Sequence, residues 1–344
     1  MRGACGACRP RHRKREGAMY RPLRRLGLAA CLWASAMGAA AAAEADYPSR
    51  AVRMVVPYVV GGSTDLLGRQ LAQRLGAALG QQVFVENQGG AGSTIGTATV
   101  ARAQPDGYTI GLLDTAFAIN PSLYANLPYD SLKDFDFLSV VATATGVLVV
   151  NSKRIKARTV RELVAEAKAR PDQLSFASAG AGTVVHLHGE TFKTAAGIKL
   201  LHVPYKGAGP AIADLLGGQV DMMFNLPALV VQQVKSGVLA PIAVTGDKRS
   251  PLFPDTASFA EAGYPGVDAV SLWVVAAPKG LPAAVHDKLV AAIEQAMAGP
   301  DMQAKLAESS FERTVVPYPR SVDFVREQMA KFAAAVKASG ATVN

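Results

Sequence analysis

Beyond residue 45 this chain has no cysteine: Cys5, Cys8 and Cys31 all fall before that point. The remainder can form neither disulfides nor thiolate metal sites, which suits an oxidising compartment. It has one tryptophan there, Trp273, since the other is Trp33. It also lacks a long apolar run. The one such stretch, Leu26 to Ala43, follows the basic Met19-Tyr20-Arg21-Pro22-Leu23-Arg24-Arg25 and runs into Ala43-Glu44-Ala45. A basic, then apolar, then small-residue order marks residues 1–45 as a secretory signal peptide, with Met19 as an alternative start and cleavage after Ala43 as an alternative cut. The 18-residue run from 26 to 43 is near the minimum for a retained membrane anchor. Leu28-Ala29-Ala30-Cys31 has the form of a lipoprotein box and Arg24-Arg25 that of a twin-arginine signal, but the overall order favours cleavage and export.

A strong positive charge is also missing once the leader is removed. The formal charge is +9, yet residues 1–45 hold nine of the 36 Lys/Arg and only two of the 27 Asp/Glu, leaving about +2. No aromatic-studded basic patch is present, so nucleic acid is not an expected partner. There is no G-x-x-x-x-G-K-[ST], and Gly180-x-Gly182 and Gly207-x-Gly209 lack the third glycine of a dinucleotide fingerprint. No cofactor is called for.

What is present is alternation. Short β-like runs (51–56, 82–86, 108–113, 137–141, 146–151, 174–177, 200–203, 219–224, 240–244, 270–276, 313–316) alternate with helical patterns (64–79, 93–103, 159–169, 184–195, 208–216, 226–235, 256–261, 282–297, 299–308, 320–338). That order predicts an α/β, two-lobed architecture, each lobe a mostly parallel sheet flanked by helices, with a ligand cleft between the lobes. Residues 46–145 and 266–344 are expected to form the first lobe and 146–265 the second. Gly263 to Gly266 would be a flexible join, and the two crossings would make a hinged clamp.

Strand-to-helix junctions are rich in small residues: Pro57 to Asp65, Glu86 to Gly96, Ser178 to His186 and Val203 to Gly209. Ligands of open α/β sheets sit at the carboxyl ends of strands. Glycine permits close backbone approach there, and helix N-termini offer unpaired N–H groups. Several such loops would form an anion site without arginine. Any one of them alone reads equally well as an N-cap and a tight turn.

The signs of catalysis are thinner. Ser178 is not in a G-x-S-x-G elbow. His186 and His188, two residues apart on a helix, diverge. His186 with Glu190 offers a metal only two ligands, so no metal site is expected. His186 is better read as ordering its loop or facing a ligand, and His188 and His202 as scaffold. Asp65 favours a helix start, and Asp221 lies on a strand. A secreted hydrolase or metal-dependent enzyme on the same scaffold is the alternative reading, but no nucleophile–base–orienter set is apparent.

Taken together, the markers resemble the Bug family of extracytoplasmic solute receptors, the substrate-binding components of tripartite tricarboxylate transporters, over residues 47 to 344. These markers are Tyr47-Pro48-Ser49-Arg50, Pro57-Tyr58-x-x-Gly61-Gly62-x-x-Asp65, Val85-Glu86-Asn87, Gly90-Ala91-Gly92, Pro105-Asp106-Gly107-Tyr108-Thr109, Leu127-Pro128-Tyr129-Asp130 with Lys133-Asp134-Phe135, Ser178-x-Gly180-x-Gly182-x-x-x-His186, Val203-Pro204-Tyr205-Lys206-Gly207, Gly217-Gly218-Gln219-Val220-Asp221 and Glu261-Ala262-Gly263. The chain departs from the pattern at Ser93, Asn225 and Val274.

The resemblance implies a periplasmic binding protein, not an enzyme, whose lobes close on a small organic carboxylate through loop backbone groups and ordered water. Its partners would be the membrane subunits of the transporter, or a signalling protein if the clamp serves as a sensor. The expected ligand-binding residues are Tyr58, Gly61, Gly62, Ser63, Thr64, Asp65, Gly92, Ser93, Thr115, Ser178, Gly180, Gly182, Thr183, His186, Tyr205 and Lys206. Trp273 is expected near the hinge or cleft.

Overall fold

The computed structural model describes residues 47–342, so the signal-peptide reading of 1–45 lies outside the described residues. The chain opens with β1 (Val52–Val56), α1 (Ser63–Leu79), β2 (Val83–Asn87), α2 (Thr94–Ala101), β3 (Thr109–Asp114), the single turn α3 (Ala116–Ile119) and β4 (Phe135–Ala144). It continues through β5 (Val147–Asn151), α4 (Val160–Ala169), β6 (Ser175–Ser178), α5 (Val184–Ala196), β7 (Leu201–Pro204), α6 (Ala208–Gly217), β8 (Met222–Asn225), α7 (Pro227–Lys235) and β9 (Leu239–Val244). The last elements are β10 (Ser271–Pro278), α8 (Ala283–Ala298), α9 (Pro300–Glu308), β11 (Glu312–Pro317) and α10 (Arg320–Ser339).

Two sheets result, ordered β11-β4-β10-β3-β1-β2 and β7-β6-β8-β5-β9. They are mixed rather than mostly parallel. In the first sheet β1 pairs parallel with β2 and β3, but β10 runs antiparallel to β3 and β4. In the second, β6 pairs parallel with β7 and β8, but β5 is antiparallel to β8 and β9. The reversals fall on β5 and β10, the strands that enter a sheet by crossing from the other one, and on the edge strand β11, which runs antiparallel to β4. Crossing strands carry no βαβ unit to fix a parallel sense.

Side-chain alternation explains why the second sheet must be covered twice. Every residue of β5 is buried. Leu148 and Val150 pack into one core with Phe176, Phe192 and Phe224, whereas Val147 and Val149 pack into another with Met223 and Leu215. A strand with period 2 and no polar face needs helices on both sides. In α1 the leucines at 67, 71, 75 and 79 are all buried, the stripe expected of an amphipathic helix. Gly68 lets it approach β1, since a β-carbon there would sit 2.9 Å from Val56.

Every expected strand run overlaps an observed strand, but the helix expected at 256–261 does not form. Ser258 and Glu261 do make a reciprocal cap, with Ser258 N–H donating to Glu261 Oε2 at 2.7 Å and Glu261 N–H to Ser258 Oγ at 3.1 Å. Gly263 follows at φ +89 and the segment stops after one turn, so the helix-start signal has no helix behind it. The two passages between sheets, at Thr145-Gly146 and after Val244, are bonded to each other. Gly146 N–H donates to Thr245 Oγ1 and Thr245 N–H to Gly146 O, both at 2.8 Å.

Candidate functional site

Where the two sheets face each other the structure encloses a cavity of about 50 Å³. It borders the starts of four helices. Gly62, Ser63 and Thr64 belong to α1, Thr183, Val184 and Val185 to α5, Ala208 to α6 and Leu226 to α7. None of these helices has a side-chain cap. Their first N–H groups have no intrahelical partner, and each helix end carries partial positive charge. No lysine or arginine lines the cavity. An anion there would be held by backbone N–H groups, hydroxyls and helix ends alone.

Thr183 shows how this arises locally. A threonine at an N-cap normally accepts from its own helix. Thr159, capping α4, does so, accepting from Glu162 N at 3.2 Å. Thr183 instead donates its hydroxyl to Gly180 O at 2.7 Å, so the α5 N–H groups are left for the cavity.

The polar side chains are held from behind. Trp273 Nε1–H donates to Thr64 Oγ1 at 3.0 Å, and Phe311 meets the indole edge-on at 4.9 Å. Tyr58 donates to Asp114 Oδ1 at 3.0 Å, which also accepts from Ala116 N at 3.2 Å. Burial pushes the Asp114 carboxyl up to about 6 against the pull of these two donors. His188 is fully buried, and burial pushes it down to about 4, only partly opposed by its bond to Ala269 O. It is therefore neutral at ordinary pH.

The expected site residues fall into three groups. Tyr58, Gly62, Ser63, Thr64 and Thr183 line the cavity. A second group lies where the loops of one half press on those of the other. A β-carbon on Gly92 (φ +57) would collide with Ala181 O, and one on Gly182 (φ +85) with Asn120 Oδ1. One on Gly180 would sit 3.3 Å from the Gly92 Cα, and one on Gly61 (φ +91) 3.8 Å from the Gly209 Cα. Tyr124 spans this seam, donating toward Ala91 O at 3.4 Å and Ala181 O at 3.3 Å. Tyr205 and Lys206 line a crevice outside the seam with Gly92 and Gly180, and the Tyr205 hydroxyl donates to Asp214 at 2.7 Å.

The third group is scaffold. Asp65 accepts from Gly61 N and Asn87 Nδ2 and pairs with Arg69. Burial would raise its carboxyl, but these partners together hold it below the usual range. Thr115 Oγ1 accepts from Leu272 N at 2.8 Å, tying β3 to β10. Ser93 is buried at the start of α2.

Ser178 Oγ lies 2.6 Å from His202 Nε2, which looks like half of a nucleophile–base pair. Neither residue lines the cavity, Ser178 is fully buried and burial pushes His202 down to about 3. No described hydrogen bond supplies a carboxylate orienter for His202, so the pair does not extend to a triad. His186 stacks on His202 at 4.1 Å and its Nδ1 accepts from Gly182 N at 3.3 Å. It orders its loop and faces away from the cavity.

His188, read from the sequence as scaffold, is the histidine that lines the cavity, together with Asp114, Thr145, Gly146, Asn225, Ser271 and Trp273. Asp114 ends β3 and Asn225 ends β8, so the rule that ligands sit at strand ends would have found both. His188 lies one helical turn after Val184, and its side of the helix could be known only from the packing.

Comparison with known proteins bears directly on this geometry. Residues 67–341 match the family model for the tripartite tricarboxylate transporter family receptor. Protein BugT of Bordetella pertussis is 36% identical over 308 residues, covering 88% of this chain and 94% of its own. The structure of periplasmic binding protein BugD superposes with a TM-score of 0.82 at 38% identity, covering 86% of this chain and 99% of that one. R. palustris Rpa4515, solved with adipate, gives 0.82 at 32% identity over 87% of this chain and 100% of its own.

Proposed function

This chain belongs to the tripartite tricarboxylate transporter receptor family, and on that premise we propose that it is a periplasmic solute-binding protein. It captures a small organic carboxylate between its two halves and hands it to the membrane subunits of such a transporter. Residues 46–145 with 266–344 act as one lobe and 146–265 as the other, hinged where Gly146 and Thr245 are bonded. Export rests on the leader pattern. The observation that carries the reading is the cationless cavity bordered by four uncapped helix starts. Each start favours an anion, and in an enclosed site their fields are poorly screened.

On this reading the N–H groups of α1, α5 and α6 grip the carboxylate with Ser63 and Thr64. Gly61, Gly92, Gly180 and Gly182 let the lobes shut over it. Adipate in the related Rpa4515 structure fits the same ligand class.

A thermal-shift screen of mono-, di- and tricarboxylates, followed by calorimetry on the hits, tests the function. A ligand that binds only the native state raises its melting temperature by mass action. At least one carboxylate is expected to shift the melt and to bind with one-to-one stoichiometry. A screen in which sugars or cationic amines shift it and no carboxylate does would overturn the reading.

A further inference from the structure

His188 carries an unused hydrogen-bond acceptor. Its Nε2 lies 2.6 Å from Ala269 O. A carbonyl only accepts, so Nε2 bears the proton and Nδ1 keeps its lone pair. Nδ1 is buried and has no partner among the described residues. The ring borders the cavity, packed at 5.1 Å against Phe224, and its Cε1 would lie 3.6 Å from a β-carbon on Gly146. Neither Phe224 nor Gly146 has a side-chain donor to offer. A buried acceptor left unpaired is costly, so a group that persists in this state at a binding cavity implies that something else completes it.

We propose that His188 Nδ1 accepts a hydrogen bond from the bound ligand, so that the preferred ligand carries a hydroxyl or amine donor as well as its carboxylate. This deepens the solute-binding reading above and rests on it. The helix starts take the anion. His188 selects among anions, because a ligand without the donor leaves Nδ1 orphaned in the closed state. Selection of this kind is steeper than shape selection, since a missing hydrogen bond to a buried group is penalised more than a missing methylene.

The test is calorimetry on the purified protein with sets of probes built on one skeleton: propionate, lactate and alanine, then succinate, malate and aspartate. At least one donor-bearing member is expected to bind about tenfold or more tighter than its parent acid, the factor that follows from the cost of an orphaned acceptor. Whether hydroxyl or ammonium wins identifies the donor. In His188→Phe, which keeps a ring against Phe224, the preference should vanish, the donor-bearing probe falling to the affinity of its own parent acid in the same variant.

A readout needing no variant is the Nδ1 signal of His188 in the ¹⁵N spectrum of the wild-type protein. It should move with the preferred probe and stay in place with the parent. If parents bind as tightly as their donor-bearing partners, the His188 assignment fails and the carboxylate reading stands. If another carboxylate from the screen binds but no probe in either set does, the His188 assignment fails alone; if no carboxylate of any kind binds, the carboxylate reading fails and takes the assignment with it.

Discussion

The seam and the cavity are built from the same loops, yet they use glycine for different ends. At the seam, Gly92, Gly180 and Gly182 adopt positive φ, and their missing β-carbons make room for the backbone or side chains of the opposite half. At the cavity, Gly62 has φ −95, and a β-carbon on it would meet Ala208 Cβ at an ordinary 3.6 Å. Positive φ at the first loop belongs to Gly61. On the proposed reading the glycines serve chiefly to let two halves close, and the grip would come from helices whose starts are left uncapped.

The sharpest way to break this division is Gly92→Val. Strain at positive φ and a collision with Ala181 O together cost on the order of 3 kcal/mol, so carboxylate affinity should fall by about 100-fold in calorimetry. The positive-φ strain acts without ligand as well, so the melting temperature of the ligand-free protein should also fall, and affinity is read below that melt on protein shown to be folded. Unchanged affinity would show that the seam does not close over the ligand.

A second experiment sharpens the cavity side through Asp114. Its folded pKa is raised to about 6, so the folded state favours the protonated form. The stability this confers is complete below the ordinary carboxyl value and is lost as pH rises through about 6. Melting temperature should decline between pH of about 4 and about 7 in the wild type and stay flatter in Asp114→Asn. Parallel curves would mean that Asp114 titrates as if exposed. The negative charge formed in a site for anions should also weaken carboxylate binding over the same window.

Smaller effects bear on the loop edges. Gly62→Ala should keep the fold and cost affinity by no more than about fivefold, because its β-carbon fits. A loss as large as that of Gly92→Val would place Gly62 in the seam. Trp273 is the one tryptophan beyond residue 45 and lines the cavity, so ligand should alter its emission in step with the calorimetric saturation curve. Trp273→Phe should abolish that signal and leave a folded protein. An emission unaltered by a ligand that calorimetry shows to bind would separate the indole from the site.

The layers of the fold were legible because they follow from periodicity. Leu67, Leu71, Leu75 and Leu79 repeat every four residues and are all buried, and the apolar β5 is covered on both faces. Strand sense was less legible, since the antiparallel entry of β5 and β10 depends on where the chain crosses. The site divides in the same way. Small residues at strand ends pointed to loops that border the cavity or the seam, but a sequence does not reveal whether a missing β-carbon faces a ligand or another loop. Thr159 and Thr183 are the same residue in the same N-cap position, yet one caps its helix and the other does not. His186 and His188 were distinguishable as facing different ways, but which of them met the cavity depended on the rotation of α5 against β6 and β8.

The central claim is that a carboxylate is held by neutral groups and helix starts alone. Its most direct test is one calorimetric pair: the best-binding acid and its primary amide, titrated into the same protein in low and high salt. The amide keeps the size and shape but removes the negative charge and one acceptor. The account predicts that the amide binds weaker by about 100-fold or more, since charge-assisted bonds are roughly twice as strong as neutral ones and several act together. The preference should persist in high salt, because the interactions are enclosed. Equal binding of acid and amide, or a preference that disappears with salt, would contradict it.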